Sequence, residues 1–183
     1  CLLRRQRQMC IRDRIKSIEI TTHESAIRII SKVGELNNPA DRDHCLQYMV
    51  AIALLKGNLT AEDYEDKVAN DKNIDILREK MIIKEDKRYS KEYLEPDKRS
   101  IANKIQIHFK DGSSTEEVEV EYPIGHKRRR EEGIPILENK FKENIDITYE
   151  KEISKKIYRL CMDQEMLEQT SVVDFQRLFS KKT

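Results

Sequence analysis

The stretch from Ile101 to Tyr122 constrains this chain most. Ile105, Ile107 and Phe109 alternate with polar residues, and so do Val118, Val120 and Tyr122. A period of two puts each apolar set on one face of a strand. Asp111-Gly112-Ser113-Ser114 sits between the runs and has hairpin-turn chemistry. The expectation is a β-hairpin formed by Ile101–Lys110 and Thr115–Tyr122, with Glu117, Glu119 and Glu121 on the wet face. One face of that hairpin needs an apolar cover, so helices must pack against it.

The rest of the chain supplies them. Ile15–Thr22 (IKSIEITT) alternates and is β-branched, which reads as a strand. From His23 to Val33, Ala26, Ile27, Ile30 and Val33 recur at helical spacing, and Gly34 ends the run. Asn38-Pro39 opens a helix, because asparagine caps and proline fits the first turn. Asp41 and Asp43 suit the positive dipole end. This helix is expected to run unbroken to about Lys56 and stop at Gly57. Its second half, YMVAIALL, is apolar all round and reads as a central buried helix. Thr60-x-x-Asp63 has capping-box spacing and opens a helix to about Val68. Ile74–Lys80 reads as a short helix and Met81–Lys84 as a strand. Asp86–Arg99 is charged and is expected to be an irregular crossing. Pro123–Gly133 is expected to be a loop, Pro135 to start a helix carrying Leu137, Phe141 and Ile145, and Glu150–Met162 to form another. Ser171-x-x-Asp174 caps a last one. The fold class is therefore α+β, a small antiparallel sheet packed with several helices.

Composition narrows the function. Lys plus Arg number 35 against 34 for Asp plus Glu, a net charge of +1, without the basic excess of a general nucleic-acid binder. The longest dense apolar stretch, Cys45–Leu55, has core-helix length and is too short for a bilayer. The N-terminus lacks an apolar signal segment after its basic residues. Cys1, Cys10, Cys45 and Cys161 include no C-x-x-C pair, which suits a cytoplasmic chain with reduced thiols. Cys1–Arg14 (CLLRRQRQMCIRDR) has no periodicity that continues into the Ile15–Thr22 strand. It resembles translated sequencing-adaptor sequence and is expected to be a non-native tail before a domain spanning 15–183.

Two polar clusters stand out. Asp41, His44 and Tyr48 are spaced i, i+3, i+7 and would share one face of a continuous helix. They are either caps and core polar groups or a carboxylate, imidazole and phenol at a pocket wall, suited to acid–base work. His126-Lys127-Arg128-Arg129-Arg130 is either a solvated face balanced by Glu131 and Glu132, a clamp for carboxylates, or a nucleic-acid contact. Metal ligation by Asp41, Asp43 and His44 is a weak reading, because helix-start carboxylates are common. Neither G-x-G-x-x-G nor a P-loop occurs.

Three segments carry a resemblance: NNPADRDHCLQYMVAIALLKGNLTAEDYED, YLEPDKRSIAN, and DKRSIANKIQIHFKDGSSTEEVEVEYPIGHKRRREEGIPILENKF. They resemble the C-terminal region of the MmgE/PrpD family over roughly Ile15–Thr183. PADRDHC and EYPIGHKRRREEGIP look like the family's dehydratases rather than its cis-aconitate decarboxylases. The resemblance implies a large all-helical domain upstream of this α+β domain, an active site between the two, and a homodimer. It implies a hydro-lyase converting 2-methylcitrate to 2-methylaconitate in propionate breakdown through the methylcitrate cycle. It implies no cofactor, a tricarboxylate substrate, and no nucleic-acid or membrane partner. The alternatives are a related citrate dehydratase or cis-aconitate decarboxylase activity, or a truncated, non-catalytic domain. In the decarboxylase relatives, a tyrosine in an H-x-x-Q-Y segment lines the active site. That carries over to Tyr48 as a catalytic residue, with His44 beside it. Arg42 is the neighbour expected to bind substrate, and the chemistry of a tricarboxylate substrate makes Arg128, Arg129 and Arg130 candidates to bind carboxylates or to stabilise the dimer. The family's other catalytic positions lie upstream, so the chain by itself is expected to be inactive.

Overall fold

The computed structural model describes residues 13–180. The expected tail falls mostly outside them. Arg14 is described: its carbonyl accepts from the Lys110 N–H at 2.8 Å, and its guanidinium pairs with Asp111 at 2.7 Å. The chain divides into two compact units, the first ending at Pro123 and the second starting at Ile124.

The first unit is α+β. It contains strands β1 (Ile15–Thr22), β2 (Met81–Glu85), β3 (Asn103–Phe109) and β4 (Val118–Val120), in the order β2-β1-β3-β4. β1 is antiparallel to β3 but parallel to β2, so the sheet is mixed. The parallel pair needs a crossover, which holds helices α1 (Glu24–Ile30), α2 (Pro39–Asp43), α3 (Leu46–Lys56), α4 (Asp66–Ala69) and α5 (Lys72–Arg78). Ile15, Ile18 and Ile20 of β1 form one core with Tyr48, Ala51, Ile52 and Leu55 of α3 and Ile74 and Leu77 of α5. The opposite sheet face is polar. Glu19 takes Lys84 at 2.7 Å, and Lys104 pairs with Glu117 at 3.1 Å.

The hairpin forms with a shorter return strand than the alternation predicts. Ile105 pairs with Val118 and His108 bridges Ser114, so one extra residue bulges on the return side. Thr115 fills the gap, its hydroxyl accepting from the Ile107 N–H at 3.0 Å. β4 lies at the sheet edge, and Val118 and Val120 are exposed rather than covered.

Asp86–Arg99 is not irregular. It contains helix α6 (Lys87–Leu94), capped by Asp86, whose side chain accepts from the Arg88 N–H. Tyr89 and Tyr93 lie four residues apart on one helical face. Tyr89 is buried, and Tyr93 stacks on His23 with ring centroids 4.2 Å apart. Charge along the stretch hid a two-tyrosine anchor.

The second unit is helical: α7 (Arg130–Thr148), α8 (Lys151–Met162), α9 (Gln164–Gln169) and α10 (Val172–Phe179). α7 starts before Pro135, which lies inside it rather than at its start. Gly133 explains the early start. A Cβ there would stand 2.2 Å from the Ile124 carbonyl oxygen, so only glycine lets the two backbones approach. Ile145, Ile157 and Leu160 are buried, whereas Leu137 is half exposed.

Candidate functional site

The predicted Asn38–Lys56 helix is broken, and the break decides what its polar residues do. α2 starts as expected: Asn38 Oδ1 accepts from the Asp41 N–H at 2.9 Å, with Pro39 in the first turn. It ends at Asp43. His44 and Cys45 leave helical geometry, and α3 begins afresh at Leu46. The i, i+3, i+7 spacing therefore does not carry across, and the row Asp41–His44–Tyr48 does not form. Asp41 accepts from Asn37 N–H and Asn38 Nδ2. His44 is exposed and bonds its neighbour Asp43 at 2.5 Å.

Arg42 and Tyr48, in contrast, turn inward. Both line a cleft of about 220 Å³ with Leu36, Asn37, Asp75 and Arg78. The Arg42 side chain is only 7% exposed. Its guanidinium reaches the Tyr64 carbonyl and Asp66, each at 2.7 Å, and the Leu36 carbonyl at 3.4 Å. Arg78 does similar work on the other side, donating to the Gly34 carbonyl at 2.8 Å and to Asp75 at 2.5 Å. The Gly34–Leu36 loop is thus held by two arginines from two helices.

Tyr48 is fully buried, and its hydroxyl donates to the Asp63 carbonyl at 2.6 Å. Burial pushes the phenol above its ordinary pKa; Arg42 opposes that, and nearby Asp63 adds to it. Asp63 closes the predicted capping box: one carboxylate oxygen accepts from the Thr60 N–H at 2.7 Å and the Thr60 hydroxyl at 3.0 Å. Its other oxygen accepts from Lys56. Burial raises the Asp63 carboxyl, but Lys56 and Thr60 outweigh it and hold the group below the usual carboxylate range. Between Cys45 and Tyr48, Gln47 is also buried. It donates to Ser31 Oγ at 2.9 Å and accepts from the Lys32 N–H at 3.2 Å, bracing the end of α1.

Arg128, Arg129 and Arg130 lie in the second unit, in and just after the 3-10 turn Lys127–Arg129. Arg129 forms a two-contact pair with Glu132. His126 caps the turn, its side chain accepting from the Arg128 N–H. No three His, Cys, Asp or Glu side chains group for a metal ion among the described residues. None of their helices is long and apolar enough to cross a membrane.

Sequence reading missed Gln47, Arg78 and the Lys56–Asp63 contact as parts of this site. The capping-box spacing at Thr60 and Asp63 was the one available signal. Arg78 gave none, because its pair with Asp75 is an ordinary contact within one helix and its other partner, the Gly34 carbonyl, lies 44 residues away in sequence.

Residues 1–164 match the profile of the MmgE/PrpD C-terminal domain. The chain belongs to the MmgE/PrpD family. It is 53% identical over 165 residues to the 2-methylcitrate dehydratase of Escherichia coli K12, covering 90% of this chain and 34% of that protein. It is 59% identical over 133 residues to the mitochondrial 2-methylcitrate dehydratase of Yarrowia lipolytica, covering 73% of this chain and 26% of that one. The Cupriavidus necator 2-methylcitrate dehydratase is 48% identical over 166 residues, or 91% of this chain and 34% of the relative. The chain thus spans between about a quarter and a third of the length of these MmgE/PrpD relatives.

Proposed function

We propose that this MmgE/PrpD domain is part of a hydro-lyase that converts 2-methylcitrate to 2-methylaconitate. The observation carrying this is the 53% identity to the Escherichia coli enzyme across nearly the whole chain. The chemistry needs groups that hold carboxylates, a base for a carbon-bound proton and an acid for the departing hydroxyl. Tyr48 is the group proposed to meet the substrate from this domain, as hydrogen-bond partner or proton donor in the cleft it shares with Arg42. The Arg42 guanidinium is engaged with its own chain, so its contribution is to wall that cleft. His44 is exposed and remains a proposed catalytic neighbour of Tyr48, and Arg128 and Arg130, also exposed, remain with Arg129 proposed to contact carboxylates or to stabilise the dimer. A cytoplasmic homodimer working in propionate breakdown through the methylcitrate cycle is the setting proposed with this activity.

A protein of the family's full length carrying this domain should release water from 2-methylcitrate, followed by ultraviolet absorbance of the new double bond. Tyr48→Phe should lower kcat by roughly a hundredfold, the scale of one lost acid–base group. Wild-type turnover in that variant removes Tyr48 from the reaction. The 183-residue chain alone should show no turnover; full activity from it would overturn the view that other parts of the protein complete the site.

A further inference from the structure

The cleft residue Tyr48 does not stand alone on its helix. α3 carries Tyr48 near its start and Lys56 at its end. Gly57, with φ of +82°, reverses the chain there, and the 3-10 turn Ala61–Tyr64 runs back along the helix. Asp63 then touches both ends. Its carboxylate accepts from Lys56 and its carbonyl accepts from Tyr48. The same turn is held at Tyr64, whose carbonyl takes the Arg42 guanidinium and whose ring lies 6.0 Å from that of Tyr48.

This arrangement fixes the direction of one proton. A backbone carbonyl only accepts, so the hydroxyl proton of Tyr48 points at Asp63. The lone pairs left on Oη are acceptors for anything entering the cleft. Tyr48 donates to a ligand only when its bond to Asp63 opens, and that depends on how firmly the turn is held. The Asp63 side chain is 5% exposed and that of Lys56 is 40% exposed. The anchor is therefore buried, while the lysine that secures it is partly exposed to solvent.

We propose that Lys56 and Asp63 are positioning residues that set the orientation of the Tyr48 phenol. This rests on the reading of Tyr48 as the group that meets substrate. Lys56 acts at a distance, by holding the Asp63 turn against α3. Neither residue needs to touch substrate.

The test uses the protein at the family's full length, with 2-methylcitrate as substrate. Lys56→Met should lower kcat by roughly tenfold, the scale of a misplaced reacting group, with KM changed less than about twofold. Lys56→Arg keeps a donor on the carboxylate and should restore kcat to within about twofold of wild type. Ile157→Val, a core change in the second unit, should lower stability and leave kcat unchanged. If Lys56→Met does not fold, Thr60→Val removes the side-chain bond on the other Asp63 oxygen and is read the same way. Wild-type kcat in the Lys56 variant, alongside an impaired Tyr48→Phe, overturns the positioning role alone. Wild-type kcat in Tyr48→Phe overturns both the positioning role and the reading beneath it. Equal loss in Lys56→Met and Lys56→Arg would also overturn it, because restored geometry would then not matter.

Discussion

Arg42 and Arg129 are the same residue type, both in basic or polar segments the sequence singles out, and they end in opposite surroundings. Arg42 is buried, and its partners, Leu36, Tyr64 and Asp66, come from both sides of it in sequence. Arg129 lies on a helix start and pairs with Glu132 three residues on. The first ties separate segments together, so its removal leaves part-buried carbonyls without their partner. The second is a local pair whose partner can turn to water. The two units differ in the same way. The first has a core of strand and helix residues distant in sequence, and the second holds its helices with few buried side chains.

This contrast can be broken or sharpened by four measurements. The largest effect should come from Ile52→Ala, which empties a fully buried position of the first unit and should cost about 3 kcal/mol in urea denaturation. Ile147→Ala, at an 86% exposed position of the second unit, should cost less than about 0.5 kcal/mol. Similar losses at both would erase the distinction between the units. Next, Arg42→Met should cost about 2 kcal/mol, since hydrogen bonds from a buried charged group to part-buried carbonyls are lost. Arg129→Met should stay within about 0.5 kcal/mol of wild type, as expected of an exposed pair.

The third measurement varies pH. The Asp63 carboxyl is held below its ordinary value of 3.8. A depressed carboxyl adds stability that is present above the unfolded pKa and lost as pH falls through the lower folded value. Asp63→Asn should therefore be less stable than wild type near about pH 7, and the gap should close on acidification below about pH 4. A gap that stays constant would show that the carboxylate charge does not secure the turn.

The smallest effect concerns His23, which burial pushes below 6.5. Its neutral ring stacks on Tyr93 and caps α1 through Nδ1, which accepts from Ala26 at 3.2 Å. The folded state favours the uncharged form, so this stability is present above the unfolded pKa and falls away as pH drops below it. His23→Asn keeps an acceptor at the cap and should flatten the stability profile between about pH 7 and 5.

Much of the fold was legible locally. β1, the Asn38 cap, the Gly57 stop, the Thr60–Asp63 capping box and the Ser171 cap all arise from side chains acting within a few residues, whereas α1 ends at Ile30 with Ser31 as its C-cap, short of the expected end at Val33 and Gly34. The failures share one cause. The break at His44–Cys45 carries no local breaker, and its consequence is that Arg42 and Tyr48 both reach the interior. The early start of α7 depends on Ile124 approaching Gly133. α6 hid because its two tyrosines find cover elsewhere in the unit. For the site, the sequence pointed to Tyr48 and Arg42 but grouped them with Asp41 and His44, which do not line that cleft.

By itself the sequence determined the element types, most caps and turns, and the family, because those depend on short-range spacing and on wording shared with relatives. Only the tertiary structure decided that β1 pairs parallel with β2 and antiparallel with β3. It also decided that Arg42 and Arg78 close on one loop and that the Tyr48 proton points at Asp63. Each of those rests on contacts between residues far apart in sequence, whose geometry depends on how helices and strands pack.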